Sequence, residues 1–235
     1  MPKISVCMAV YNGEKYILEQ IESILGQLSA DDELIVSDDG STDLTLEKIR
    51  TCGDARIRII ANELDKGYSG NFENAIRHAT GEVIFLSDQD DVWLAGRVQK
   101  MLTALERCDM VVCNAQFTDH VLTPLDTTLF SLRGGGQGFW KNLLKSRYLG
   151  ACMAFKRRIL RKALPFPGNR KLCPHDLWLT LVAELYYRVE LIAEPLILYR
   201  RHGANVSSGG SASTNSFLKK MQFRAYCLLK VLGRA

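Results

Sequence analysis

Short apolar runs alternate with amphipathic stretches through the first half of the chain. "ISVCMAV" (residues 4–10) has the near-continuous hydrophobicity of a strand buried on both faces. A helix is expected over residues 14–27, where Ile17, Ile21, Ile24 and Leu25 recur on one side. "ELIVS" (33–37), "RIRIIA" (56–61) and "EVIFLS" (82–87) read as three further strands. Between them, "DDGSTD" carries turn chemistry, with Ser41 or Thr42 placed to cap a helix running through Arg50, and "NFENAIRHA" (71–79) reads as a second crossover helix. Repeated strand–helix–strand units with short links predict a doubly wound, mostly parallel sheet flanked by helices.

The second half is less regular. "DMVVCNAQF" (109–117) and "YLGACMAF" (148–155) are strand candidates, and "RGGGQG" (133–138) between them is too glycine-rich for a helix or central strand. "RRILRKAL" (157–164) reads as a helix. Another is expected to begin near Asp176 in "CPHDLWLTLVAELYY", with Asp176 a candidate helix cap. "LILYRR" is a last strand, ending beside His202. A Ser/Gly-rich linker, "SSGGSAS" (207–213), leads to the tail.

Composition adds a compartment and removes one class of partner. With 47% hydrophobic and 24% charged residues, the chain is an ordinary globular protein. Its net charge of +4 comes from the tail: five Lys or Arg and no acid follow Gly203, so the first 202 residues carry about −1. A near-neutral body argues against a nucleic-acid partner. Seven scattered cysteines with no CxxC pair fit a reducing cytosol, and neither a signal peptide nor a membrane-spanning run is legible. The expected location is cytoplasmic, with residues 216–235 either packing an apolar stripe on the catalytic domain or on a second copy, or making peripheral contact with the membrane. On a helix, Phe217, Leu218, Met221, Ala225, Leu228, Leu229 and Leu232 form an apolar stripe opposite Lys219, Lys220, Arg224, Lys230 and Arg234.

Candidate chemistry sits at strand ends. Ligands of doubly wound sheets bind outside the carboxyl ends of the strands, and three such ends here are polar: "YNG", "SDDGS" and "SDQDD". Asp88, Asp90 and Asp91 crowd behind an apolar strand with no basic residue among them. No GxGxxG or GxxxxGK is present, so a bound diphosphate needs another source of positive charge. Hard oxygen donors in that cluster suit Mg²⁺ or Mn²⁺, which bridges carboxylate and phosphate oxygens.

The segments "ISVCMAVYNGEKYI", "LIVSDDGSTD", "ATGEVIFLSDQDDVW", "YLGACMAF", "PHDLWL" and "YRRHGANVS" together resemble the family 2 glycosyltransferases of GT-A fold, especially their bacterial rhamnosyltransferase-like branch. The resemblance implies a catalytic domain over residues 1–206, with a nucleotide-binding part over about 1–91 and an acceptor-binding part over about 92–206. It implies that Val10 and Tyr11 line the base and ribose, that Asp38 or Asp39 bonds the base, and that Asp88 and Asp90 form the DxD. Asp90 is then the metal ligand, Asp88 lies nearer the ribose, and Asp91 stands beside them. Asp176 falls at the catalytic base, in "HD" where many members have "ED". His202 matches a C-terminal histidine that reaches the metal or diphosphate, and Arg201 is expected to face the diphosphate with it. The implied reaction is a metal-dependent, inverting transfer of a sugar, rhamnose by resemblance, from a nucleotide-sugar donor to a saccharide or lipid-linked saccharide. A UDP-hexose donor, a nucleotidyltransferase that builds sugar nucleotides, and a non-catalytic sugar-nucleotide binder remain as alternatives. A phosphatase with an Asp nucleophile fits poorly, because Tyr11 and Asn12 stand where its acids would follow the first strand.

Overall fold

The buried apolar runs form the strands they predict, and the amphipathic stretches cross over between them. A computed structural model describes residues 2–202 and 217–234. The first half comprises β1 (Ile4–Val10), α1 (Ile17–Leu25), β2 (Glu33–Asp38), α2 (Thr45–Thr51), β3 (Ile57–Ala61), α3 (Tyr68–His78) and β4 (Val83–Ser87). Then follow β5 (Val92–Trp93), α4 (Arg97–Leu105), β6 (Met110–Thr118), β7 (Pro124–Thr128), α5 (Leu129–Arg133) and α6 (Phe139–Leu144). The chain continues with β8 (Met153–Lys156), α7 (Leu160–Ala163), α8 (His175–Tyr186), β9 (Val189–Arg200) and α9 (Phe217–Leu232). The Ser/Gly-rich linker lies outside the described residues.

Among the described residues the strands make one nine-stranded sheet in the order β3-β2-β1-β4-β8-β6-β9-β5, with β7 beside β6. The first four strands are parallel to one another, as expected. Beyond β4 the sheet is mixed: β8 runs antiparallel to both β4 and β6, whereas β6 and β9 are parallel. Strands from before and after residue 91 therefore share one continuous sheet. Val6, Ile35, Ile84, Val111 and Phe155 are wholly buried at its centre.

Three local expectations change. α1 starts at Ile17 rather than residue 14, because Tyr16 and Ile17 N–H groups both turn back to the Gly13 carbonyl. α2 starts at Thr45, and neither Ser41 nor Thr42 caps it; the Asp43 carboxylate accepts from the Thr45 N–H instead, at 3.0 Å. Asp176 is not a cap either: Pro174 occupies that position and Asp176 lies in the first turn of α8. An acid there still suits the positive end of the helix dipole.

The tail docks through a face other than the apolar stripe. Cys227 and Val231 of α9 are fully buried, and Phe223 and Tyr226 pack on the core. Tyr186 Oη donates to the Val231 carbonyl at 2.8 Å, and the Tyr226 hydroxyl accepts from the Asn169 N–H at 3.0 Å. Of the expected stripe, Leu228 is half-buried, while Leu218, Met221, Leu229 and Leu232 face outward. The Phe217 side chain lies outside the described residues. No described helix is long and apolar enough to cross a membrane. All seven cysteines are free thiols, six of them buried.

Candidate active site

Three loops meet at the carboxyl ends of β1, β2 and β4. Asn12 takes a positive φ of 48°, a conformation Asn tolerates better than most residues. Its N–H donates to Ser41 Oγ at 3.0 Å, and its side-chain carbonyl accepts from the Thr42 N–H at 2.9 Å. Gln89, inside "SDQDD", bonds both backbone groups of Tyr11: its Oε1 accepts from the N–H at 2.8 Å and its Nε2 donates to the carbonyl at 3.0 Å. Gly13 makes room for this, since a Cβ there would lie 2.5 Å from Gln89 Oε1. Val10 is buried, while the Tyr11 ring is 54% exposed at the mouth.

Asp38 and Asp39 separate into different roles. The buried Asp38 carboxylate accepts from the Gly40 and Ser41 N–H groups and from Ser41 Oγ, so its lone pairs organise the turn. Asp39 accepts from Asn62 Nδ2 and from the Gly67 N–H, both at 2.7 Å. A carboxylate offers about four acceptor sites, so Asp39 retains capacity for a ligand.

The acid cluster follows β4. Burial, reinforced by the Asp90 and Asp176 charges, pushes the Asp88 carboxyl up to about 7. Burial likewise raises Asp91, helped by Asp90 and Asp88 and opposed by Arg97. Asp91 Oδ1 accepts from the Arg200 N–H at 3.1 Å, and its buried Oδ2 has no partner. Asp90 Oδ2 lies 2.8 Å from His202 Nε2. Asp176, at the start of α8, acts electrostatically on both Asp88 and Tyr68. Its Oδ1 accepts from the Leu177 N–H at 2.7 Å.

β9 delivers the cations. Strand alternation sends residues 200 and 202 to one face and residue 201 to the other. Arg200 is 3% exposed, and its guanidinium donates to the Asp90 and His120 carbonyls at 2.8 Å each and to Glu19. It lies 4.4 Å over the Tyr16 ring, which also touches the His202 ring at 4.9 Å between centroids. Arg201, expected at the diphosphate, instead places its guanidinium over Phe117 at 5.7 Å. Arg200, Arg97, Tyr16 and Glu19 were not expected at this site. For Arg200 the signal was the shared face with His202.

His175 occupies an aromatic box. It stacks on Phe72 at 4.3 Å and meets the edge of Tyr68 at 5.6 Å, and neither ring nitrogen has a partner. Burial holds its pKa below the ordinary value, so the ring is neutral. An unpartnered carboxylate would cost far more in this box, which accounts for "HD" rather than "ED". A Cβ on Gly150 would lie 2.5 Å from His175 Nε2. Gly150→Ala is therefore expected to lower stability by about 1–3 kcal/mol, measured by denaturant unfolding, because the stacked ring has no room to retreat.

Among the described residues, no three His, Cys, Asp or Glu side chains form a ready-made metal shell. The donor set nonetheless fits a divalent cation. Asp90 and His202 supply a carboxylate and an imidazole at one point amid excess negative charge, and Mg²⁺ or Mn²⁺ ordinarily completes its shell with waters and phosphate oxygens.

Residues 5–164 match the model of the family described as glycosyl transferase family 2. The chain belongs to that family. As a glycosyltransferase it is 28% identical over 189 residues to a UDP-Glc:alpha-D-GlcNAc-diphosphoundecaprenol beta-1,3-glucosyltransferase, WfgD of Escherichia coli, covering 77% of this chain and 70% of that protein. It is 29% identical over 221 residues to a dTDP-rhamnosyl transferase, RfbG of Shigella flexneri, covering 85% and 75%. The glycosyltransferase fold matches S. aureus TarS 1–349 in complex with UDP-GlcNAc, with a TM-score of 0.71 at 20% identity over 99% of this chain and 69% of that one. A mannosyltransferase from Pyrobaculum calidifontis, in complex with GDP-Man and Mn²⁺, matches with a TM-score of 0.61 at 21% identity over 99% and 64%.

Proposed function

We propose that this glycosyltransferase moves a hexose from a pyrimidine nucleoside diphosphate to a hydroxyl of a lipid-linked saccharide, in one inverting displacement. One observation supports the reading: the Asp90 and Asp176 charges both raise the Asp88 carboxyl, so the diphosphate-side acids and the base candidate lie within electrostatic reach of one another. Asp176 takes the proton of the acceptor hydroxyl as it attacks the anomeric carbon, since a hydroxyl is a poor nucleophile until deprotonated. Attack and departure occur on opposite faces of the sugar, so configuration inverts and no covalent intermediate forms on the protein. A divalent cation held by Asp90 and His202 would neutralise the charge gathering on the leaving diphosphate. Asp39 accepts from the ring N3–H that uracil and thymine share, and Tyr11 covers the base at the mouth of the site.

The relatives' names supply two donors, UDP-glucose and dTDP-rhamnose, and both carry a pyrimidine. The "SDQDD" resemblance favours rhamnose. A thermal-shift panel with Mn²⁺ tests the donor class. UDP and dTDP are expected to raise the melting temperature and GDP to leave it unchanged. A ligand at 100 times its Kd adds about 2.7 kcal/mol to the folded state. A shift with GDP alone would remove the pyrimidine reading. Product analysis with UDP-glucose and dTDP-rhamnose then separates the two sugars.

A further inference from the structure

We infer that α6 and α9 together form a surface that binds an anionic lipid bilayer. Two stretches of the chain carry cations and no acid. Between Asp126 and Asp176 there are eleven Lys or Arg, and after Glu194 there are seven. The fold brings them together: Arg224 Nη2 of α9 donates to the carbonyl of Leu144, the last residue of α6, at 2.8 Å.

Around that junction the side chains facing water are apolar. Trp140 is 64% exposed and Leu144 60%, one turn apart on α6. Leu218 and Met221, 82% and 48% exposed, precede Arg224 on α9, and Leu229 and Leu232 continue the same outward stripe. α9 already satisfies its packing through Cys227 and Val231, so this second stripe is surplus to the fold. Lys141, Lys145 and Lys219 are exposed beside it, and Lys220 is half-exposed.

The combination selects the occupant. An acidic protein would complement the lysines but would leave a Trp and several leucines against charge. An apolar protein face would bury the lysines without partners. A bilayer with anionic headgroups meets both demands: leucines enter the acyl boundary, Trp sits at headgroup depth, and lysines reach the phosphates along their aliphatic stems. The inference stands apart from the chemistry proposed above, and vesicle binding reads it without any turnover.

The test is co-sedimentation of the full chain with vesicles of phosphatidylcholine alone and of phosphatidylcholine mixed with phosphatidylglycerol. Salt-sensitive binding to the mixed vesicles only is expected. Trp140→Ser/Leu144→Ser and Leu218→Ser/Met221→Ser are each expected to weaken it at least about tenfold, as is Lys141→Glu/Lys145→Glu, since each cation near an anionic surface contributes roughly a fivefold factor. These positions are exposed, and circular dichroism with thermal melting checks that each variant folds. Trp93 and Trp178 are buried, so a blue shift of emission on vesicle addition, quenched by brominated lipid and absent from the Trp140→Ser/Leu144→Ser variant, reports Trp140 itself. No binding by the intact chain overturns the inference. So does binding that survives the α6 substitutions, which would leave the tail acting alone. Concentration-dependent dimers that the same substitutions dissolve, without vesicle binding, would assign the surface to a second copy.

Discussion

Asp176→Asn is expected to lower turnover by roughly 10²–10⁴-fold, the usual worth of general-base catalysis, while leaving donor affinity unchanged. The substitution is nearly isosteric. Asn keeps a side-chain oxygen to accept from the Leu177 N–H, and α8 is anchored independently through the Trp178 indole, which donates to the Ala163 carbonyl at 2.7 Å. The melting temperature should therefore stay within a degree or two of the parent. Calorimetry of donor binding beside steady-state turnover makes the measurement decisive. Donor affinity lost together with turnover would move Asp176 into the donor site and leave the base unassigned.

Asp90→Asn should act on the other half of the reaction. Turnover is expected to fall on the order of 10²–10³-fold, the scale of losing one electrostatic contact to developing charge, and added Mn²⁺ should no longer restore it. Stability should move the opposite way. The raised Asp88 carboxyl means that the folded protein keeps a proton the unfolded chain releases, so stability declines as pH rises from about 4 to about 7 and is level above. Burial is the larger cause and Asp90 the next, so removing the Asp90 charge makes that decline shallower without abolishing it. Melting temperatures across that range, without metal, give the slope. Full activity of Asp90→Asn at ordinary Mn²⁺ would take Asp90 out of the metal site.

The parallel half of the fold was legible because three of its four strands are buried on both faces. β1, β2 and β4 read as unbroken apolar runs, and polar residues appear only where each strand ends. β9 was half-legible. Its final residues are apolar, but from Val189 to Pro195 it is half-buried or exposed and carries Glu190 and Glu194, so its first half reads as loop. β5 has only two residues, and β7 lies on β6 with an exposed, polar sequence, so neither leaves a periodic trace. For α9 the pattern was present twice. Leu218, Met221, Leu229 and Leu232 mark one face, and Phe223, Cys227 and Val231 another, and only the packing surface decides which one docks.

In the site, the acids were readable and their supports were not. Three aspartates in four positions announce themselves, whereas Gln89 bonding Tyr11, 78 positions away, or Gly150 yielding to the His175 ring, depends on contacts that no local pattern signals. Arg200 against Arg201 is the instructive case. Both are arginines at a strand end, and extending the period-two geometry of the strand to His202 would have placed Arg200, not Arg201, on the histidine's face.

The hold of β9 on the acid cluster has a consequence for how the protein is made. Arg200 reaches Asp90 and Asp91, and His202 reaches Asp90, across separations of 110, 109 and 112 residues. A nascent chain that has completed β4 can assemble the turns around Tyr11 and Asp39, yet its aspartates still repel one another without Arg200. The acid cluster thus takes its final form only after β9 has emerged and paired with β6. Released chains ending at residue 188 and at residue 235 would show nucleotide retention only in the longer of the two.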